Sequence, residues 1–596
     1  MVHTTCICDV ASTTTASTLR RCHDPKGPKN QMAHHRADRP PTTSYPPLLQ
    51  QSSSNVTLSN GALQRLQSGL KKCRLEVPQE HVEFIPRSEV QRLVDESVED
   101  VLLEESIASS ESIQRLSRII RGQLPKLFAV LVVLKKVDFI TEFIDEGIND
   151  EDLPFVQAPS SNSRCPTPAL LTSQKKPIRT LQSWDPQSIK QLKRKQYQVL
   201  SPIFRQGEHY ELDGLHILPF IEEDTEEVYK PAAAGGYGEV SRQCIHPDHH
   251  EFKTPTAGDA LVVAVKRMFR EADFVLEEKV YRELGPLRHR HLIELLFSFK
   301  KKDGYHLVFP WADGTLKDYW ERNPDLNFSR DLLLWSLEQM AGIADGLASF
   351  HEFTNPAHGI TQFGRHGDIK AQNILWFSNA NVLKIADLGL ASVRGRDSRS
   401  NVHPNTVIES PTYSPPEKQR MHLVSRKWDI WSLGCLYLEF VTYLVLGNAA
   451  IEEFSKERED ATSEIPELLS DEFYSADHES VKPSVISWVA NLKQRPRCSG
   501  LIHDILDLVM EKMILVDPSS RSTSAHICNI LNEKLQQAKE SDKYLFEQRA
   551  GVLMGPINVT FPSGPASQPP MSLHLRVAQH MPARKGVAGL MERSTY

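Results

Sequence analysis

Cysteine is scarce in this chain and unpatterned. Nine cysteines are spread through 596 residues, from Cys6 to Cys528, with no repeated spacing, which argues against a disulfide framework or a zinc ribbon. Cys6, Cys8, Cys22 and His23 lie near one another, but the Thr, Ser and Ala around them form no periodic element that would fix a metal geometry. A strong field is missing as well. A formal net charge of −7 does not point to nucleic acid or an anionic membrane as a partner. The opening Met1-Val2-His3-Thr4-Thr5 has neither the basic nor the apolar stretch of a secretory leader. Long apolar runs are few. Leu127 to Leu134 is too short to cross a bilayer and is closed off by Lys126, Lys135 and Lys136, whereas Leu433 to Ile451, with Glu439 inside, is long enough on length alone. The expectation is a cytoplasmic or nuclear protein. No internal repeat is visible.

What the chain does contain falls into blocks, as its length requires of anything with more than one core. Residues 1–55 are rich in Thr, Ser, Pro and His with little apolar periodicity, a composition predicted to be disordered. Over 56–157, Val90, Leu93, Val94, Val98, Val101 and Leu102 recur at the spacing of one helix face, and Ile113, Leu116, Ile119, Ile120, Phe139, Ile140, Phe143 and Ile144 continue it. This predicts a helical region, either a lid or a docking platform for a regulatory protein. Residues 158–200 carry Pro159, Pro166, Pro168, Pro177 and Pro186 and read as a linker. Lys193-Arg194-Lys195 within it reads as a solvated basic helix end in preference to a nuclear address. Residues 201–545 begin with β-branched, strand-like runs and continue as long helices, an order suited to a small sheet lobe joined to a larger helical lobe, an α+β fold. Residues 546–596 turn to Gly, Pro, Ser and Met without period. That tail is predicted to be disordered.

The chemistry-bearing residues sit in the sheet-then-helix block. Ala233-Ala234-Gly235-Gly236-Tyr237-Gly238-Glu239-Val240 lies between two strand-like runs, where glycines let backbone amides close over phosphate groups. By itself such a cluster is more often a plain hairpin turn. Leu261-Val262-Val263-Ala264-Val265-Lys266 ends an apolar strand on a lysine, which if buried needs anionic partners. Glu277 is the helical partner expected, since Val280, Tyr281 and Leu284 form one inward face with it, and Glu278 is the competing one. His366-Gly367-Asp368-Ile369-Lys370-Ala371-Gln372-Asn373 places three polar groups in a loop before an apolar run. Asp368 can orient or accept a hydroxyl proton, Lys370 can reach a phosphate, and Asn373 can ligate a metal. Ile385-Ala386-Asp387-Leu388-Gly389 then ends a short strand on a carboxylate suited to Mg²⁺.

In order, type and spacing these residues resemble the eukaryotic-type protein kinase family, over roughly Leu212 to Lys539. The layout, with its short histidine-glycine-aspartate loop, is similar to fungal kinase-domain proteins of unassigned pathway. The resemblance implies a two-lobed kinase fold, ATP and Mg²⁺ as cofactors, and transfer of the γ-phosphoryl group to Ser/Thr hydroxyls of a protein substrate. Lys370 beside Asp368 resembles the serine/threonine pattern and not the tyrosine one. Catalytic roles fall to Asp368, Lys370, Lys266 and Glu277. Nucleotide contacts fall to Ala233, Gly235, Gly238, Val240, Ala264, Lys266, Phe309 and Ala312, and metal ligation to Asn373 and Asp387. Glu417 is implied to pair with Arg521, and Asp429 to Gly434 to open the central helix of the large lobe, so the run to Ile451 becomes a core helix and no membrane span is expected.

The chain departs from the family pattern at Ala233, in place of a loop glycine, at Gly367, in place of an arginine that usually answers a phosphate on the activation segment (Asp387 to Glu417), and between Leu284 and His289, where it is a few residues longer than the family norm. Control through phosphates at Ser392, Ser398, Ser400 or Thr406 is therefore expected to be weak. A catalytically inactive, kinase-shaped scaffold is the alternative reading. It usually lacks one of the strand lysine, loop aspartate or metal aspartate, all of which stand here.

Overall fold

The computed structural model describes residues 61–549, with 79, 108, 158–169, 223–232, 235–237, 255–258, 303, 325–326, 356–358, 396–410, 419–424 and 462–468 excepted. The expectations for 1–55, for the cluster from Cys6 to His23 and for the end of the tail lie outside the described residues, as do Gly235, Ser398, Ser400 and Thr406.

An N-terminal helical module comes first. It comprises α1 (Ala62–Lys72), a hairpin of β1 (Leu75–Val77) and β2 (Val82–Phe84), α2 (Arg87–Glu104), α3 (Ser110–Gln123), α4 (Pro125–Leu134) and α5 (Ile140–Asp145). The apolar stripe read from the sequence is the buried face of α2, where Val94, Val98, Val101 and Leu102 are fully enclosed. Helix α4 is apolar all round and buried from Leu127 to Val132, because α1, α2, α3 and the later α6 pack about it.

The expected linker over 158–200 is not one. Past residue 169, β4 (Leu170–Leu171) pairs with β3 (Val156–Gln157), and Ile178, Leu181, Trp184, Ile189 and Leu192 complete the core of the module. Its prolines mislead for a definable reason. Pro186 occupies the first turn of α6 (Pro186–Lys195), behind an Asp185 cap that accepts from Gln187 N at 3.0 Å and Ser188 N at 2.9 Å, a position where proline favours a helix. Lys193, Arg194 and Lys195 form the last turn of that helix. The tail also starts later than expected, since Gln548 pairs with Ser499 and donates to Arg495 O at 2.9 Å.

The small lobe is one sheet in the order β5 (His209–Leu212), β10 (Phe297–Lys301), β11 (Gly304–Pro310), β9 (Leu261–Met268), β8 (Gly238–Ile245) and β6 (Phe220–Ile221), with β7 (Ala233–Ala234) also on β8. Helix α7 (Glu271–Leu284) lies against it. Alternation along β9 divides the sheet into two faces. Val263 and Val265 point to an outer face, buried with Phe297, Phe299 and Val308, while Ala264 and Lys266 point to the other. The outer face is covered by the module: Val77 and Phe84 of the hairpin and Tyr197 share its apolar cluster. At the rim Lys301 Nζ meets Glu80 at 2.9 Å. Asp248 of the small lobe accepts from Ser88 N at 3.1 Å, at the start of a helix whose own cap residue, Pro86, has no polar side chain.

The large lobe is mainly helical, with α8 (Leu316–Arg322), α9 (Arg330–His351) and α10 (Lys427–Leu446) at its centre. Among the described residues, α10 is the one helix long and apolar enough to cross a membrane, and it is buried inside the fold. Two small sheets frame the catalytic loop. One orders β12 (Gly314–Thr315), β15 (Ile374–Phe377) and β16 (Val382–Ile385); the other orders β13 (Phe353–Asn355), β14 (Ile360–Arg365) and β17 (Ser392–Gly395).

If the module and the small lobe form one core, truncating Phe84, fully buried with its ring 5.5 Å from that of His249, will cost about 3 kcal/mol or more. Denaturant unfolding read by intrinsic fluorescence checks this. A loss under about 1 kcal/mol, the scale of a surface change, would mean that the two units are separate.

Candidate active site

Lys266 reaches the inner face because it ends the inward-facing register of β9. Its Nζ lies 2.7 and 2.9 Å from the two carboxylate oxygens of Glu277 and 2.8 Å from Asp387 Oδ1. The Glu277 side chain is completely buried. Glu278, the competitor, points instead to the sheet edge, where Ser298 Oγ donates to it at 2.8 Å. One ammonium thus serves two carboxylates. Burial works against the charge on Lys266, yet Glu277 and Asp387 hold its pKa above the ordinary lysine value. Burial likewise pushes the Glu277 carboxyl up to about 6, against the pull of Lys266. Asp387 also loses water, but Lys266 keeps its carboxyl below the usual range.

A second group forms in the catalytic loop. Lys370 Nζ lies 2.7 Å from Asp368 Oδ2, and Asn373 Nδ2 donates at 2.8 Å both to that oxygen and to the Asp368 carbonyl. The backbone ties the groups together, since Ala386 N, next to Asp387, donates to Asn373 O at 2.8 Å. Asp387 has φ 64°, a left-handed geometry that aspartate tolerates better than most side chains. Its Oδ1 accepts from Gly389 N at 3.4 Å.

The loop rests on a residue whose part sequence reasoning did not identify. Asp429, at the start of α10, is fully buried and accepts from His366 N at 2.9 Å, Gly367 N at 2.8 Å and His351 Nε2 at 2.8 Å. Burial alone would raise its pKa; His351 and the loop amides bring it below the ordinary value. His366 is equally enclosed. Its Nδ1 accepts from Asp368 N at 3.2 Å, so Nε2 carries the proton and donates to Ala386 O at 3.0 Å. No periodicity could reveal these roles, because Asp429 sits in an apolar helix and acts 62 residues from Gly367.

Other expected residues take positions consistent with a nucleotide cleft. Phe309 is buried against Tyr281, ring centroids 5.0 Å apart, and pairs across strands with Ala264; Trp311 and Ala312 follow at the end of β11. Ala233 pairs with Val240 and Val240 with Lys266. At Gly238 a Cβ would stand 2.5 Å from the Arg267 carbonyl, so the backbone of β8 requires glycine there. Outside the cleft, Arg521 and Glu417 form a buried two-bond pair at 2.7 and 2.7 Å. For Mg²⁺ the donor set fits a hard cation: Asp387 offers carboxylate oxygens, and Asn373, which spends its nitrogen on Asp368, offers Oδ1. Lys266 fits the charge of ATP phosphates.

The raised Glu277 value has a direct consequence. Between 4.5 and about 6 an ordinary glutamate is ionised while this one holds a proton, so the pair with Lys266 loosens as pH falls through that window. Carboxyl ¹³C NMR titration checks it. A midpoint at or below 4.5 would show that the lysine outweighs burial.

Residues 235–533, half of the chain, match the family model described as Protein kinase domain. The LRR receptor-like serine/threonine-protein kinase GSO2 of Arabidopsis thaliana is 25% identical over 290 residues, covering 47% of this chain and 22% of that protein. A probable receptor-like protein kinase of the same plant is 33% identical over 219 residues, covering 34% and 22%. The plant's probable serine/threonine-protein kinase CST is 28% identical over 249 residues, covering 41% and 56%. The chain thus spans less than a quarter of the first two relatives. Since the matched segment makes up most of the two lobes and carries both groups of the cleft, the chain belongs to the protein kinase family.

Proposed function

We propose that the protein transfers the γ-phosphoryl group of ATP to serine or threonine hydroxyls of protein substrates. The observation that carries this reading is the assembled Lys266, Glu277 and Asp387 cluster beside an Asp368 held by Lys370 and Asn373. A scaffold that had lost catalysis usually lacks one of the strand lysine, the loop aspartate or the metal aspartate, and Lys266, Asp368 and Asp387 all stand here. In the reaction the substrate hydroxyl oxygen bonds to the γ-phosphorus, the bond to the bridging oxygen breaks, and ADP leaves. Asp368 orients the hydroxyl and takes up its proton. Lys370 stabilises charge on the transferred group, and Lys266, fixed by Glu277, holds phosphate oxygens. Mg²⁺, when bound through Asp387 and Asn373, neutralises phosphate charge.

Lys370 two residues after Asp368 supports serine and threonine over tyrosine. Cytoplasmic or nuclear residence goes with this reading. The helical module is the proposed seat of a regulatory protein.

The test is phosphopeptide mapping after incubation of the purified full-length chain with Mg²⁺ and ATP. Phosphoserine and phosphothreonine are expected in the chain or in an added basic protein. Lys266→Met and Asp387→Asn should each lower the rate at least about a hundredfold, because each removes a charge acting on the transition state. Thermal unfolding close to that of the parent would show that the fold survives. Full activity in either variant would refute the assignment.

A further inference from the structure

The strand β5, residues His209–Leu212, precedes the segment that matches the family, 235–533. It pairs in parallel with β10, adding a strand at the edge of the sheet beside α7. Three side chains meet where that edge touches the helix. Ser298 of β10 donates through Oγ to Glu278 Oε1 at 2.8 Å, and His209 Nδ1 lies 2.8 Å from the same hydroxyl and 3.5 Å from Glu278. A serine hydroxyl has one proton, so with that proton on Glu278 the Nδ1 of His209 must be the donor to Ser298. The relay runs one way, from strand to helix. Ser298 is 1% exposed, and the His209 ring also packs on Phe274 of α7, centroids 5.8 Å apart. Arg282, one turn on, bonds the same oxygen of Glu278, and Glu211 lies 3.4 Å from the far nitrogen of His209.

The other end of β5 is anchored in the helical module. Asp213, the next residue, accepts from the hydroxyl of Tyr197, and Tyr197 belongs to the apolar cluster shared by hairpin and sheet. Glu278 is the chain neighbour of Glu277. An outward movement of α7 that parted Glu277 from Lys266 would also break the Ser298 bond.

We propose that His209, Ser298 and Glu278 form a tether through which the helical module holds α7 in its catalytic position. These are positioning residues, since none touches the cleft. The proposal rests on the phosphotransfer reading for its consequence in rate, but not for its physical core. A ligand or partner that shifted the module would act on Lys266 through β5.

The experiment compares His209→Ala, Ser298→Ala, Glu278→Ala and the pair His209→Ala with Glu278→Ala in the full-length chain, with Lys279→Ala, an exposed residue of the same helix, as control. Amide hydrogen exchange of α7 is the primary readout. The tether predicts exchange faster by about tenfold in the single variants, no further gain in the pair because both cut the same path, and none in the control. His209→Asn, which keeps a donor near the Nδ1 position, should restore slow exchange. The turnover number should fall by about tenfold in parallel, with the KM for ATP moving less. Unchanged exchange in Ser298→Ala, the mildest substitution, or strictly additive effects in the pair, would overturn the tether. An unsubstituted chain without phosphotransfer would defeat the functional reading, while the exchange data would still decide the tether.

Discussion

One ammonium group shared by two carboxylates sets the terms for the cleft. Lys266 has little water around it, and a cation in that position stays charged only if anions are brought to it. Glu277 arrives from α7 of the small lobe and Asp387 from the end of β16 in the large lobe. Three elements must therefore be in register at once. The outer face of the sheet must pack so that β9 presents Ala264 and Lys266 inward; α7 must sit so that Glu277 and not Glu278 faces the strand; and the turn after Ala386 must take a left-handed residue. The geometry of the site reports on the packing of both lobes.

A second buried charge does for the catalytic loop what Lys266 does for the cleft. Asp429 is balanced by the donors around it, His351 and two backbone amides of the loop itself. Removing such a carboxylate strands buried donors, and removing a donor strands a buried charge; each is costly, on the order of a few kcal/mol. The loop is consequently fastened to the most buried helix of the fold. Ser432 adds to that fastening on the far side, donating to Tyr413 O at 2.8 Å, while Tyr413 reaches Glu439 at 2.7 Å. The turn at Tyr413, the catalytic loop and α10 are one bonded unit.

Much of this was legible in the sequence, because a strand lysine, a helix glutamate, a loop Asp-x-Lys and a strand-end aspartate act through their own side chains at local spacings. The helical stripe of α2 was legible for the same reason, since periodicity records which face is buried. What was not legible depends on partners distant in sequence. Pro186 reads as a breaker until Asp185 is seen to cap the turn it starts. The strand β5 is too short to show a pattern, and only its pairing with β10 makes it a strand. Glu277 and Glu278 are chemically identical, and the spacing of Val280, Tyr281 and Leu284 separates them in favour of Glu277, the residue that β9 buries. Asp429 looks like one acid at a helix start, a common place for it, and its bonds to the loop exist only in three dimensions.

Gly367 shows where a departure from the family pattern acquires a physical meaning. Its φ is 88°, and a Cβ there would stand 3.3 Å from the Leu390 carbonyl and 3.6 Å from the guanidinium of Arg365. Any side chain at this position would carry strain of about 1 kcal/mol and press on the Leu390 carbonyl, while Arg365 lies 5.9 Å from the Trp428 ring. Glycine relieves both, and its amide is free to serve Asp429. The cation beside the loop is held by β14, whose register sets Arg365 opposite Ser392 at the start of the activation segment. A loop shaped from below by a buried carboxylate, and flanked by an arginine fixed on a paired strand, has its conformation determined by the fold. That is the energetic ground for expecting the catalytic loop to hold its shape whether or not the segment beyond β17 carries phosphate.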